Sequence, residues 1–221
     1  MIGRRRFLDM LASLYIYNEY RGYSSIDRLL DAVRRKCPEE TDFIAAVEKH
    51  RADERKHYLM FKRYFELRGE KPFIVDRTCG HIDRFIEMVF GTRIDDLDNE
   101  AIVADDAAFK KLCRVVMLTE QRGERQLEVL LKSPAIASDS RLTRIFEVIQ
   151  RDEPDHWQPY HKWLVRHGGS RPKWSEVAAD WLIHKTLVVV KLPSLFLNPA
   201  LKRRADWLDP ADEMPIAVPA E

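Results

Sequence analysis

The chain has few cysteines, and those it has are spaced unlike the ligands of a sulfur-based metal site. Its 221 residues include three, Cys37, Cys79 and Cys113, and none of them belongs to a Cys-x-x-Cys pattern. This spacing argues against a zinc ribbon, a rubredoxin-type iron site or a disulfide framework, and it suits a reducing compartment. No run of uncharged apolar residues is long enough to cross a bilayer, so no membrane-spanning helix is expected.

Net charge is also nearly absent, which argues against one class of partner. The 37 Lys and Arg residues balance 36 Asp and Glu residues and leave a formal net charge of +1. No overall field would therefore attract nucleic acid, and we expect no nucleic-acid partner. The composition, 45% hydrophobic and 33% charged, is that of a soluble helical protein rather than a disordered one.

The first residues resemble a twin-arginine export signal but depart from it. Arg4, Arg5 and Arg6 precede a segment that Asp9 and Glu19 interrupt, where an export signal would have an uninterrupted apolar run. We therefore interpret the arginines as the charged start of a helix and expect a cytoplasmic protein.

Two short sequence motifs each occur twice in the rest of the sequence. Asp-Glu-x-x-His occurs at 53–57 and 152–156, and Glu-x-Arg-Gly occurs upstream of each, at 19–22 and 120–123. Glu54 follows Glu19 by 35 residues, and Glu153 follows Glu120 by 33. Residues three apart on a helix lie one turn apart on the same face, so the Glu and His of each pattern can reach one ion. The alternative, a pair of salt-bridged helix turns facing solvent, is disfavoured because chance seldom produces the pattern twice.

Hydrophobic periodicity predicts an all-α protein. Apolar residues with a 3.6-residue period predict four long helices, over about 4–35, 38–69, 105–132 and 138–169. The segment at about 70–105 contains prolines, glycines and a short helical pattern, and we predict a crossover there that lets the third long helix run parallel to the second. We thus expect a four-helix bundle over 1–170 and a C-terminal segment over 171–221, with a helix over 174–190, packing on the bundle or on a partner.

Pro154 interrupts the second Asp-Glu-x-x-His pattern. It removes one backbone hydrogen bond, so we expect a kink in the fourth long helix at that point. A kink or π-turn would open a coordination position, and the alternative is a tolerated bend that only repositions His156.

The end of the chain combines an apolar stretch at 192–197 with the basic cluster Lys202, Arg203 and Arg204. Such a combination could dock on an anionic membrane surface. Packing on the bundle or a dimer contact is the more usual outcome.

The residues of the repeated motifs could act as the ligands of a site with two metal ions. Four carboxylates and two neutral imidazoles carry four negative charges, which two divalent cations would balance. Without cations, burying these carboxylates would be costly. Oxygen and nitrogen donors without sulfur disfavour copper(I) and structural zinc, and they fit iron or manganese.

The pattern resembles that of the ferritin-like di-iron carboxylate superfamily, whose four-helix bundle supplies Glu from two helices and Glu-x-x-His from the other two. The resemblance covers about residues 4–167. It implies two iron ions, with manganese or a mixed pair as alternatives, and the metal ligands Glu19, Glu54, His57, Glu120, Glu153 and His156. Asp53 and Asp152 would each accept a hydrogen bond from a ligand imidazole and orient it. The alternative is that both are surface acids.

Several other residues share a helical face with these ligands. Glu124, Tyr23 and Tyr160 are candidates for proton donors or redox-active groups, and His50 and Tyr15 lie on the same faces. For each of them alone, a hydrogen-bonded residue of the core or rim is the simpler interpretation. Gly22 and Gly123 each cost about 1 kcal/mol of helix stability relative to Ala. Their repetition indicates close helix approach, or room for O2 or substrate.

The resemblance implies a di-iron oxidoreductase that uses O2 to hydroxylate or oxidise an organic substrate, with electrons from an external donor. A lipophilic substrate would suit the apolar tail, and we expect a homodimer that is cytoplasmic, with peripheral contact to the inner membrane left open. The long crossover and the tail favour the hydroxylase and oxidase branches over cage ferritins. The alternatives are a ferroxidase for iron storage or detoxification and a metal-stabilised interaction protein without turnover.

Overall fold

The computed structural model describes residues 2–169, 171–197 and Arg204. In these residues the regular secondary structure is helical, and one isolated antiparallel bridge pairs Phe73 with Arg204. The predicted all-α class is therefore confirmed. The helices are α1 Ile2–Lys36, α2 Thr41–Glu66, α3 His81–Phe90, α4 Asn99–Ala104, α5 Asp106–Leu131, α6 Pro134–Ala137, α7 Ser140–Arg166, α8 Trp174–Thr186 and α9 Leu192–Leu197.

The four long helices α1, α2, α5 and α7 begin and end within three residues of the predicted bounds. Helix α1 ends before Cys37-Pro38, and α7 begins where the Asp139 side chain accepts a hydrogen bond from the Leu142 N–H at 3.0 Å. Helix α1 packs against α2, α5 packs against α7, and α2 packs against α7.

The apolar core consists of two clusters, and the repeated motifs lie between them. On α2, the first cluster contains Phe43 and Val47, and the second contains Phe61 and Phe65. Helices α5 and α7 likewise contribute to the first cluster at one end and to the second cluster at the other. The polar residues of the motifs thus form a layer between two apolar regions, where water is scarce and electrostatic interactions are strong.

The arginine of each Glu-x-Arg-Gly motif forms an ion pair with one of the shorter helices that are added to the four long ones. Arg21 Nη2 lies 2.6 Å from Asp83 Oδ1 of α3, and Arg122 Nε lies 3.2 Å from Asp180 Oδ1 of α8. The same motif position therefore contacts the segment between α2 and α5 in one half of the chain and the C-terminal helix in the other.

Helix α7 is α-helical throughout Ser140–Arg166, with Pro154 and Pro159 inside it, so Pro154 introduces no π-turn, and the kink there stays a prediction. Helix α7 packs against both α2 and α5, which supports it where the proline removes one hydrogen bond. A π-helical turn occurs instead at Leu187–Lys191, and the predicted fifth helix ends as an α-helix at Thr186.

The described part of the C-terminal segment packs on the rest of the chain. Helix α8 contacts α3 and α5, and Leu195 of α9 joins a small cluster with Met10 and Phe73. Arg204 Nη2 lies 2.7 Å from Asp9 Oδ2, while Lys202, Arg203 and residues 205–221 lie outside the described residues. None of the helices described has both the length and the apolar content that a membrane span requires.

Candidate metal centre

Five of the six ligands that the resemblance implies lie in two groups that share Glu54. One group consists of Glu19, Glu54 and His57; the other consists of His50, Glu54, Glu120 and His156. In each group, one ligand atom per residue lies within 4.8 Å of the others, and every member except the half-buried Glu120 is buried. A carboxylate common to both groups is what two neighbouring ions need as a bridge.

Glu153, the sixth expected ligand, belongs to neither group but lies beside the second one. Its Oε2 is 3.9 Å from His156 Nδ1, and this oxygen is buried without a hydrogen-bond partner among the described residues. Glu153 thus adds a further unsatisfied acceptor at the edge of the site.

The His57 ring turns one nitrogen toward a carboxylate of its group and the other toward α7. Nδ1 lies 3.3 Å from Glu19 Oε2, and Nε2 lies 2.9 Å from Asp152 Oδ2. When Asp152 accepts the Nε2 proton, the lone pair of Nδ1 remains available for an ion.

His156 repeats this arrangement from the opposite helix. Nδ1 lies 3.3 Å from Glu54 Oε1, and Nε2 lies 3.5 Å from Asp53 Oδ2. Each Asp therefore faces the histidine of the other motif rather than that of its own. Lys56 Nζ lies 2.8 Å from Asp152 and 2.5 Å from Asp53, which links the two carboxylates and helps to keep them ionised.

The two motif glycines make room for carboxylates of the facing helices. A Cβ added at Gly22 would lie 2.1 Å from Glu54 Oε2, and one added at Gly123 would lie 3.3 Å from Glu153 Oε1. At both positions the nearest atoms belong to a glutamate side chain of the neighbouring long helix. The space beside each glycine is filled by the Glu of the Asp-Glu-x-x-His motif in the same half of the chain.

The carboxylates of the site are too crowded to be fully ionised without cations. Burial, followed by the charge of Glu54, raises the pKa of Glu19 to about 7 and raises that of Glu120 well above its usual range. Burial also raises the pKa of Glu153 well above its usual range. Two divalent cations would supply the positive charge that this set of donors needs, so the residues present fit a two-metal centre.

Two histidines of the site, His57 and His156, supply part of that positive charge in the metal-free state, whereas burial lowers the pKa of His50 to about 4. Burial opposes protonation of His57, but Asp152 and Glu19 raise its pKa to about 9. Burial likewise opposes ionisation of Glu54, yet His156 and His50 hold its pKa below the usual range. A metal ion that binds here must therefore displace protons.

His50 joins the second group, although sequence reasoning treated it as a residue of the core or rim. Its Nε2 lies 3.6 Å from Glu54 Oε1 and 3.8 Å from Glu120 Oε1, and its Nδ1 lies 3.0 Å from Tyr160 Oη. Its ring stacks on that of His156 with the centroids 4.2 Å apart. The one sequence signal was its place seven residues before His57, which fits a core position equally well.

The three candidate catalytic residues differ in their distance from these groups. Tyr160 is joined to the second group directly, through its contact with His50. Glu124 accepts a hydrogen bond from Trp157 Nε1 at 3.0 Å and is half-buried. Tyr23 lies in an aromatic cluster with Tyr20 and Tyr58, whose ring centroids are 5.4 and 5.8 Å from its own.

Comparisons of the chain with protein-family models, curated proteins and solved structures gave no match.

Proposed function

We propose that this protein is an oxidoreductase of the ferritin-like di-iron carboxylate type that uses O2 to hydroxylate or oxidise an organic substrate. The observation that carries the proposal is the pair of buried Glu–His groups that share Glu54. Manganese, or a manganese–iron pair, is compatible with the same donors.

The arrangement of the helices supports this assignment. The four long helices carry the candidate ligands in the order that the superfamily would require: Glu on α1, Glu and His on α2, Glu on α5, and Glu and His on α7. The 39 residues between α2 and α5 leave room for a crossover, so α5 could run parallel to α2.

The chain's own residues would hold and orient the pair of ions. Glu19 and His57 would bind at one position, Glu120 and His156 at the other, with Glu54 between them and Glu153 beside the second. Asp152 and Asp53 would keep the ligand rings in the tautomer that presents Nδ1. When bound, iron supplies the redox chemistry with O2. The two apolar clusters keep the layer between them poor in water.

An external electron donor belongs to the proposal because the electrons must balance. Hydroxylation of R–H by O2 gives R–OH and H2O, takes four electrons in total and draws two of them from the substrate. The other two electrons, with two protons, must come from a reductant. A lipophilic substrate and a homodimer remain part of the proposal on the basis of the sequence.

Metal analysis of the purified protein tests the proposal. We expect two equivalents of iron in the wild type and a loss of most of that iron in Glu54→Ala. Glu48→Ala is the matched control, because Glu48 is an exposed glutamate on the same helix. The ferrous protein should then consume O2, and Glu54→Ala should not.

The storage alternative predicts a different particle and a different stoichiometry. A large symmetric shell on a sizing column, with iron taken up far beyond two equivalents, would contradict the oxygenase proposal. One bound zinc ion, unaffected by Glu19→Ala, would contradict the two-metal site itself.

A further inference from the structure

The two halves of the site differ at some of the positions around the repeated motifs. The two Asp-Glu-x-x-His motifs are 99 residues apart in the sequence. At the same offset, Ile149 corresponds to His50, and Phe61 corresponds to Tyr160. Ile149 and Phe61 are buried in the same apolar cluster, whereas His50 and Tyr160 contact each other through Nδ1 and Oη at 3.0 Å. A polar pair in one half thus replaces an apolar pair in the other.

The second nitrogen of His50 points into the site. His50 is 1% exposed, and its Nε2 is buried without a hydrogen-bond partner among the described residues. The nearest carboxylate oxygens, on Glu54 and Glu120, are 3.6 and 3.8 Å away. Two donors that are each about 2.1 Å from one ion lie about 3–3.5 Å apart, so these separations are close to those of atoms that share a metal.

A buried imidazole nitrogen without a partner is costly, and a cation would satisfy it. When Tyr160 Oη accepts the proton on His50 Nδ1, the neutral tautomer is selected and the Nε2 lone pair is directed toward Glu54 and Glu120. The Tyr160 hydroxyl would act on His50 as Asp152 acts on His57: it fixes the ring and the tautomer.

We infer that His50 is a seventh metal ligand and that the two metal positions are therefore chemically different. This inference rests on the proposed two-metal site. One position has one imidazole, from His57, with Glu19 and Glu54. The other has two, from His50 and His156, with Glu54 and Glu120. Tyr160 is a positioning residue for His50.

The difference between the two metal positions should appear in metal titrations, which do not depend on any activity of the protein. Mn²⁺ added to the metal-free protein is counted by the loss of the electron paramagnetic resonance signal of free Mn²⁺. We expect two equivalents in the wild type. In His50→Ala, one equivalent should keep its affinity and the other should weaken about tenfold or more, the range seen when ligand or ligand-orienting groups are removed. Tyr160→Phe should weaken the same equivalent by a smaller factor.

His161→Ala is the matched control, because His161 lies on α7 but is exposed, and both equivalents should keep their affinity. His50→Gln replaces His50→Ala if the alanine variant does not fold, as judged by circular dichroism. Two equivalents of unchanged affinity in a folded His50 variant would overturn the inference and leave the proposed two-metal site intact. Equal weakening of both equivalents would overturn the assignment to one position. Absence of Mn²⁺ binding to the wild type would overturn both proposals.

Discussion

Glu19, Arg21 and Gly22 stand within four residues of one another, and each has a different neighbour. Glu19 lies with His57 in the first metal group, and Arg21 contacts Asp83 of α3. Gly22 faces the Glu54 carboxylate. One face of the helix, with Glu19 and Gly22, thus serves the candidate metal site, and another face, with Arg21, contacts an added helix.

Gly22→Ala should lower the metal affinity without lowering the stability of the metal-free protein. The added Cβ would lie 2.1 Å from Glu54 Oε2, so the carboxylate shared by both groups must move. We expect metal affinity to fall about tenfold or more. Alanine also favours the helix by up to about 1 kcal/mol, so the metal-free protein should melt no earlier than the wild type.

Gly123→Ala is the comparison for that variant. Its Cβ would lie 3.3 Å from Glu153 Oε1, a contact that a small side-chain movement relieves. Its metal affinity should change much less than that of Gly22→Ala when both are titrated with Mn²⁺. Equal losses in the two variants would contradict the special place of Glu54.

His81 should make the metal-free protein sensitive to acid. Burial, followed by the charge of Arg122, lowers the pKa of His81 to about 4. Between about pH 6.5 and 4 the unfolded chain therefore binds a proton at this residue that the folded protein does not. The contribution is fully present above pH 6.5 and is lost as the pH falls toward 4, with a limit of about 3 kcal/mol.

Urea unfolding of wild type and His81→Gln at pH 7.5 and 5 measures this contribution. Other groups change stability in either direction; Glu19, whose pKa is raised to about 7, favours the folded state as the pH falls. The difference between the two proteins isolates His81, and the wild type should lose more stability on acidification than the variant. An identical pH dependence would rule out the buried neutral histidine.

At the scale of elements, the added helices are held by buried charges as well as by apolar contacts. Arg21 donates to Asp83 through Nε and Nη2 at 2.9 and 2.6 Å and also reaches Asp95 at 3.0 Å. The corresponding Arg122 contacts Asp180 on α8, whose Oδ1 is also 3.1 Å from His81 Nε2. Helices α3 and α8 are therefore connected through the contact between His81 and Asp180.

Arg21→Ala should loosen α3 specifically. It leaves Asp83 buried without its cation, so we expect a loss of about 3 kcal/mol in the free energy of unfolding. Backbone amides of α3 should exchange faster with deuterium, because the helix loses its link to α1.

Arg93→Ala is the control, since Arg93 is half exposed and lies 3.6 Å from Asp95 and 3.9 Å from Asp96, both of them exposed. An exposed pair of this kind contributes at most about 1 kcal/mol. A loss of stability in Arg21→Ala that is no larger than in Arg93→Ala would show that the pair with Asp83 does not hold α3 in place.

At the scale of the whole molecule, the candidate site is a polar layer that divides the core. Burial, followed by repulsion from Glu54, raises the pKa values of its carboxylates Glu19 and Glu120. Cations bound by the folded chain alone would relieve that repulsion, so metal binding and folding should be coupled.

Metal removal should therefore lower the melting temperature. A metal at one hundred times its dissociation constant stabilises the folded state by about 2.7 kcal/mol. For a chain of this size, that corresponds to a shift of about 5–10 °C. Calorimetry with Mn²⁺ and with EDTA measures the shift, and Glu54→Ala should abolish it. A shift that persists in Glu54→Ala would place the stabilising ion elsewhere.

The sequence by itself determined the helices and the residues that would face one another along each of them. Periodicity and the breaks at Cys37-Pro38 and Ser133-Pro134 were enough for the bounds of the long helices, because those signals are local. The repeated motifs predicted which Glu and His residues lie together, because a three-residue spacing determines which side chains share a helical face.

Only the tertiary structure decided which faces of the helices contact one another. It brought Asp53 to His156 and Asp152 to His57, and it placed His50 in the second group while its counterpart Ile149 joined the apolar core. These outcomes depend on contacts between residues about a hundred positions apart. Spacing within one helix carries no information about the distance between two helices, so no local pattern could have supplied them.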